Sequence, residues 1–402
     1  MDVEFYPSRA EGVFYAPPSK SMAHRYIICA ALSRGESRID NVVMSEDIKC
    51  TADCMRSFGA EITEDRSGLS VLGTRELRPA GPFRCGESGS TMRLIAPLCF
   101  MQEERCDLWA APGLLNRPMD VYKKLCKENG IYFRRGKNRL YIEGKLRGGE
   151  YTVDASTSSQ FVSGLLLALP LAERDSVLTL KSPVSKSYID LTVQALRTFG
   201  IRLAREGDSF IIPAGQTYTA ASCVCEGDYS NSALFFALTR IGGNAEIRGL
   251  SRDTLQGDAV CEKYLSVLSE GAEVLDITDC PDLAPLLFAY AALNRGGIFY
   301  GTGRLKYKES DRVQSMKTEL ERFGVKVETG KNRVLVFPAK LKKPSEPLDS
   351  HNDHRIVMAL SLLLSVRGGV IKNAGCVSKS MPEFFEKLRE VNIKTAVSGD
   401  NS

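Results

Sequence analysis

A short polar cluster running straight into an apolar stretch occurs six times in this chain, and no other feature restricts its fold as strongly. The clusters centre on Lys20-Ser21, Gly89-Ser90, Ser158-Ser159-Gln160, Ser230-Asn231, Asp282 and Asp353-His354-Arg355. With Lys20, Gly89, Ser159, Ser230, Asp282 and His354 as markers, the intervals are 69, 70, 71, 52 and 72 residues. Such regularity marks an internal repeat. Each cluster stands where a helix is expected to start, and there unpaired N–H groups and the helix dipole attract anions. The repeat therefore implies six units that gather helix starts around a small, negatively charged molecule.

A second landmark follows each apolar stretch: an amphipathic segment, a small residue, then alternating hydrophobicity. It occurs at Phe58-Gly59-Ala60, Asn129-Gly130-Ile131, Phe199-Gly200-Ile201, Glu270-Gly271-Ala272, Phe323-Gly324-Val325 and Val391-Asn392-Ile393. Gly or Asn there suits a left-handed helix C-cap, and the alternation suits a half-exposed strand. Hairpins are expected around Gly136-Lys137-Asn138 and Gly330-Lys331-Asn332. Each unit thus reads as apolar helix, strand, second helix and strand pair. Six such α/β units in 402 residues divide into two domains of three. The break is expected within residues 220–228, and the strand Val3 to Tyr6 is left over to complete the other domain.

Composition narrows the function. A net charge of +4 suits an acidic substrate but lacks the concentrated basic surface of a nucleic-acid binder. The twelve cysteines form no Cys-x-x-Cys, and with three histidines they give no zinc-ligand spacing, so no metal is expected. Scattered thiols of this kind fit a reduced, cytoplasmic protein. The N-terminus has neither the basic nor the apolar part of a signal peptide. The longest apolar runs, Phe161 to Ala172 and Ile356 to Val366, fall short of the ~20 residues that span a bilayer and read as buried helices.

The clusters carry a consistent chemistry. In Pro17-Pro18-Ser19-Lys20-Ser21, prolines force extended chain and a helix then opens with Lys20, Ser21 and, one turn on, Arg25. A cation, hydroxyl and guanidinium at one helix end make an anion site, although a serine cap beside basic residues is also common on surfaces. Cys85 to Arg93 is a small-residue loop whose glycines let backbone approach an anion; it lacks the Lys-Ser/Thr ending of a nucleotide-binding loop. Arg117 precedes another helix start. Lys308 to Arg312 packs four charges into five residues, with Lys308 and Arg312 expected on one helical face and Glu309 beside them. Such a run is usually a solvated face; here it could grip a phosphate while the acid moves a proton. Asp282 and Asp353 stand at helix starts, where capping is the plain alternative.

Taken in order, Pro18 through Arg25, Gly89 through Arg93, Asn116-Arg117-Pro118, Ser158-Ser159-Gln160, Ser185 through Tyr188, Pro281-Asp282, Lys308 through Arg312, Asp353-His354-Arg355 and Lys379 resemble the enolpyruvyl transferases, most closely those that act on shikimate 3-phosphate. The resemblance runs from about residue 14 to 385. It implies a two-domain α/β fold, each domain of three βαβαββ units around buried helices, with the active site in the interdomain cleft. Residues 14–223 would form the first domain, mainly for shikimate 3-phosphate. Residues 1–13 with 224–402 would form the second, carrying the catalytic carboxylates and the cations for phosphoenolpyruvate.

The implied reaction transfers the enolpyruvyl group of phosphoenolpyruvate to the 5-hydroxyl of shikimate 3-phosphate through a tetrahedral intermediate. By position, Asp282, Glu309 and Lys20 would be catalytic, with Asp282 as base and Glu309 as acid. Lys20, Ser21, Arg25, Ser158, Ser159, Gln160, Ser185, Tyr188, Asp282 and Lys308 would hold shikimate 3-phosphate. Phosphoenolpyruvate would lie against Lys20, Gly89, Arg117, Gln160, Arg312, Arg355 and Lys379. No cofactor, nucleic acid or membrane is implied, and the enzyme would be a monomer. Glu87, Arg304 and Ser187 depart from the commonest family pattern, whereas Gly89 matches the residue that leaves room for glyphosate. The rivals are transfer to UDP-N-acetylglucosamine, whose enzymes typically carry Lys-Asn in place of Lys20-Ser21, and a non-catalytic anion-binding protein of the same fold. The fourth helix start, Asp228 to Ser232, receives no ligand and is expected to serve as cap and hinge.

Overall fold

The computed structural model describes residues 1–74, 76–271 and 273–397; Ala272 of the fourth landmark lies outside them. Packing divides the chain into two compact units, Pro18–Glu226 and Met1–Pro17 with the chain from Gly227 onward.

In the Pro18–Glu226 unit, three four-stranded sheets share one order. They run Ser222–Val224, Glu36–Asp40, Gly68–Leu72, Glu61–Glu64; then Phe83–Gly86, Cys106–Ala110, Arg139–Glu143, Tyr132–Arg135; then Glu150–Asp154, Ser176–Lys181, Ser209–Ile212, Ala204–Glu206. The first pair in each is parallel and the other two pairs antiparallel. A parallel pair needs a crossover, and the helices Gly89–Cys99 and Gln160–Ala168 supply it in the second and third repeats. These helices are buried on nearly every side and pack on one another. Gly164 permits that approach, since a Cβ there would strike the Arg93 carbonyl.

The other unit repeats the order in Val274–Asp276, Gly297–Tyr300, Arg333–Val336, Val327–Thr329, and again in Leu348–Asp349, Gly369–Lys372, Val3–Phe5, Thr395–Val397. In the latter sheet the N-terminal strand fills the third place, antiparallel to both neighbours. Helices Ala284–Leu293 and His354–Arg367 pack together at the centre. A helix apolar all round has no face to leave in water, so both are enclosed.

First strands are exchanged at the two crossing points. Glu11–Tyr15 precedes helix Lys20–Leu32 in sequence but pairs in parallel with Asn244–Arg248, beside helix Tyr229–Arg240. Ser222–Val224 precedes Tyr229–Arg240 but pairs with Glu36–Asp40. Each strand must stay with its partner, so the chain changes unit after Pro17 and after Glu226, a few residues beyond 13/14 and 223/224.

The fourth repeat is abbreviated. After helix Cys261–Glu270 the chain runs into Val274–Asp276, the first strand of the next sheet, with no hairpin between. This accounts for the short 52-residue interval. The caps agree: Gly59, Gly130, Gly200, Gly324 and Asn392 have φ between 68° and 105°, while Gly271 is extended at −168°. No helix among the described residues is long and apolar enough to cross a membrane.

Candidate active site

Within Pro18–Glu226 the polar residues converge on the starts of three buried helices. Lys20 opens the first and places Nζ 2.8 Å from Asp47 Oδ2, both side chains largely buried. Ser19, its N-cap, makes no side-chain cap bond. Behind Lys20 a buried chain runs from His24 Nδ1 to Thr51 Oγ1 (2.7 Å), to Thr91 Oγ1 (2.7 Å) and to Ser88 Oγ (2.8 Å). Ser88 also caps helix Gly89–Cys99 by accepting from Thr91 N at 3.2 Å. On that helix Arg93 Nη1 donates to Gln160 Oε1 at 2.8 Å, and Gln160 Nε2 donates to Ser90 Oγ at 2.9 Å. A Cβ on Gly89 would stand 2.7 Å from Arg117 Nη1 and 3.6 Å from Arg93 Nη1. Two guanidinium groups therefore flank one glycine at a helix N-terminus, an arrangement that favours a dianion.

Arg25 is placed differently. Its guanidinium donates to Thr192 Oγ1 (2.8 Å), Ser21 O (2.6 Å), Tyr188 O (2.9 Å) and Ser163 Oγ (3.3 Å). Only 3% exposed, it ties three helices together. Ser185 begins helix Lys186–Thr198 with a left-handed φ of 51°.

In the other unit the charges form a knot around Arg312, which is 1% exposed. Its guanidinium donates to Asp282 Oδ1 at 2.7 Å, Glu309 Oε2 at 2.7 Å and Asp353 Oδ2 at 2.9 Å. Lys308 Nζ donates to the same Asp282 oxygen at 3.1 Å, and Arg355 Nη2 lies 3.8 Å from Asp282 Oδ2. Burial alone pushes the Asp282 carboxyl up, but Lys308, Arg312 and Arg355 outweigh it and hold the group well below the usual carboxylate range. Asp282 makes no helix cap; Leu283 holds that place for helix Ala284–Leu293. Asp353 does both jobs, capping Arg355 N at 2.9 Å while pairing with Arg312. Lys379 Nζ donates to the Asn352 carbonyl at 2.8 Å.

A family model for EPSP synthase (3-phosphoshikimate 1-carboxyvinyltransferase) matches residues 6–388. The chain belongs to the EPSP synthase family. Curated 3-phosphoshikimate 1-carboxyvinyltransferases agree: that of Clostridium kluyveri is 37% identical and that of Clostridium beijerinckii 33% identical, each with 97% of both chains covered. The fold is that of an EPSP synthase solved from Acinetobacter baumannii, at a TM-score of 0.81 and 23% identity over 99% of both chains.

Against the EPSP synthase pattern, Lys20, Gly89, Arg117 and Gln160 gather at the helix starts of one unit, and Asp282, Lys308, Glu309, Arg312, Arg355 and Lys379 gather in the other. Ser158 and Ser159 stand just before Gln160, with the Ser158 hydroxyl accepting from Gln160 N at 3.3 Å. One expected detail fails: Lys308 and Arg312 do not share a helical face. The helix is Arg312–Arg322, capped by Asp311, and Lys308 precedes it in extended chain. Asp311 accepts from Gln314 N, which fixes the start there, so the two cations reach Asp282 from a loop and a helix. Of the departures, Glu87 is exposed, and Arg304 donates to the Thr278 carbonyl.

Three participants were not singled out from sequence as site residues. Arg93 was legible as a cation in its motif, but its bond to Gln160 spans 67 residues. Asn231 lies on the fourth helix start, where Asp228 caps its N–H at 2.8 Å as expected. Its amide oxygen accepts from Arg355 Nη1 at 3.1 Å and Ser380 Oγ at 3.3 Å, so this start also serves the site. Asp258, 1% exposed and bonded by the Ser230 hydroxyl, is pushed up to about 6 by burial and then by Asp282. No sequence motif marked it; it stands in the short 3-10 helix Gly257–Val260.

Proposed function

We infer that this chain transfers the enolpyruvyl group of phosphoenolpyruvate to the 5-hydroxyl of shikimate 3-phosphate, releasing phosphate, as a step of the shikimate pathway toward chorismate. The family match across residues 6–388 carries this inference.

We assign shikimate 3-phosphate to Ser21, Ser158, Ser159, Gln160, Ser185 and Tyr188, with Lys20, Asp282 and Lys308 at its reacting side. Arg25 belongs to this set through Ser21 and Tyr188, whose carbonyls it holds. Phosphoenolpyruvate is assigned to Lys20, Gly89, Arg117, Gln160, Arg312, Arg355 and Lys379, and Arg93 joins them because it orients Gln160. The 5-hydroxyl oxygen adds to C2 of phosphoenolpyruvate, Asp282 takes the hydroxyl proton, and Glu309 gives a proton to C3. The tetrahedral adduct then loses phosphate by cleavage of its C2–O bond, the proton held by Asp282 leaves with the phosphate, and C3 gives its added proton back to Glu309. We assign Lys20 a share in these proton transfers.

The charge balance supports the division of labour. Three cations keep Asp282 ionised and weakly basic. A dianion that engages Arg312 and Arg355 relieves part of that hold, so Asp282 becomes a stronger base as the substrate arrives. Cationic donors already in place stabilise charge that develops on the leaving phosphate.

The deciding experiment follows phosphate release from phosphoenolpyruvate with either shikimate 3-phosphate or UDP-N-acetylglucosamine as acceptor. Turnover with the first alone is expected. Release with the second, or binding of shikimate 3-phosphate without turnover, would overturn the inference.

A further inference from the structure

Glu319 is fully buried on helix Arg312–Arg322, an expensive place for a carboxylate unless it is well partnered. Arg322 pairs with it on the same helix at 3.4 Å, and its other partners lie about thirty residues on, in the turn that precedes Asp353. His351 Nε2 stands 2.9 Å from Glu319 Oε1, and Asp349 N donates to Oε2 at 3.3 Å. His351 and Asn352 are both left-handed, at φ 50° and 52°, a conformation that costs non-glycine residues energy and persists only where surroundings enforce it. Enforcement is visible: His351 N donates to Asp349 Oδ1 at 2.7 Å, Asn352 N to Ser350 Oγ at 3.1 Å, and Asp353 N to Ser350 O at 3.0 Å.

This turn sets three site elements at once. Asn352 offers its carbonyl to Lys379, Asp353 receives Arg312, and Arg355 follows directly. One helix therefore grips the loop at two points, through Arg312 at Asp353 and through Glu319 at His351. We propose that His351 and Glu319 are positioning residues for phosphoenolpyruvate, holding the left-handed turn that places Lys379, Asp353 and Arg355. The proposal rests on the assignment of Lys379, Arg312 and Arg355 to phosphoenolpyruvate made above.

The pair is also sensitive to pH. The Glu319 hydrogen bond raises the His351 imidazole above its ordinary value. A group raised on folding contributes its full stabilisation below the unfolded value, and loses it as pH climbs through the folded one. The grip on the turn therefore loosens as pH climbs through that raised value. The charged groups acting on this imidazole are Glu319 from the helix, which Arg322 also pairs with, and Asp349 and Asp353 from its own loop; the neighbouring segment Ala374–Lys379 meets the loop instead through Cys376 at Ser350 and Lys379 at Asn352.

The test uses the full chain and three variants. His351→Gln keeps a donor but cannot titrate; His351→Ala removes it; Lys379→Ala tests the underlying assignment. His351→Ala should raise KM for phosphoenolpyruvate about five- to tenfold, with kcat and KM for shikimate 3-phosphate changed less than about twofold. His351→Gln should restore most of that KM and remove the rise in KM expected of the parent chain as the imidazole loses its proton above pH 6.5. With only three histidines, the His351 ring resonance can be followed by NMR, and a midpoint above 6.5 is expected. If Lys379→Ala raises KM while His351→Ala does not, or if the parent and His351→Gln profiles coincide, the positioning role is overturned. If neither Lys379→Ala nor His351→Ala moves KM, the phosphoenolpyruvate assignment itself falls.

Discussion

Replacing Arg312 by methionine removes one guanidinium and little volume, yet it takes an ion-pair partner from three carboxylates, of which Asp282 keeps other cations, Lys308 and Arg355. Asp353 is 0% exposed and pairs with Arg312 at 2.9 Å, so it cannot turn to water. Asp282 and Glu309, at 23% and 21% exposure, can recover part of their solvation. Breaking a buried pair from one side costs about 3–5 kcal/mol. In a unit of about 190 residues each kcal/mol moves Tm by roughly 2–4 °C, so Arg312→Met should lower it by about 6–20 °C at pH 7.5.

The pH dependence separates this cause from ordinary packing loss. In the parent chain Asp282 is depressed, so its contribution is present above the unfolded carboxylate value and disappears only as pH falls through the lower folded one. Without Arg312 the clustered carboxylates repel, and their affinity for protons rises above that of the unfolded chain. The variant then takes up protons on folding and gains stability as pH falls toward 5, whereas the parent does not. Calorimetry of both at pH 5, 6, 7 and 8 should show the gap in Tm narrowing steadily on acidification. A gap that stays constant, or a loss under about 2 °C at pH 7.5, would refute the reasoning, because either means that Arg312 does not neutralise these groups.

Asp282→Asn and Glu309→Gln should each lower kcat by about 100-fold or more while KM changes less than about threefold, measured by phosphate release. Gly89→Ala places a methyl 2.7 Å from Arg117 Nη1, so KM for phosphoenolpyruvate should rise about tenfold, and glyphosate inhibition should weaken in parallel. Asn231→Ala removes the acceptor of Arg355 and Ser380, and should raise KM for phosphoenolpyruvate about fivefold without changing that for shikimate 3-phosphate.

Much of the fold is written in local sequence because a repeat states its rules several times. Polar start, apolar helix and small C-cap residue are each short-range signals, and the glycines at 59, 130, 200 and 324 adopt the left-handed φ that such a cap requires. The exception was also written there. An interval of 52 residues in place of about 70 leaves no length for a hairpin, and Gly271 is accordingly extended. The exchange of Glu11–Tyr15 and Ser222–Val224 between repeats was less legible. A strand of three to five residues carries no mark of which helix it will flank, since its partner is fixed by pairing far away in sequence.

The site divides along the same line. Residue types at helix starts were legible because capping geometry and anion binding make similar demands there, but the use each residue finds depends on what stands opposite. Asp282 and Asp353 were equivalent in local pattern, each an acid before an apolar helix, and only the family resemblance gave Asp282 the role of base. Asp353 caps its helix and binds Arg312, while Asp282 leaves its cap position to Leu283 and turns to three cations. Arg25 and Arg93 were likewise similar cations at helix starts. One is consumed in binding helices together, and the other is aimed at Gln160. Spacing alone does not separate such pairs, because the repeat places them at closely similar positions and the surrounding charges distinguish them. The acids and cations of this chain thus acquire their roles from their neighbours. For that reason, substitutions at second neighbours such as Asn231, Glu319 and His351 are the ones that test the assignment rather than the fold.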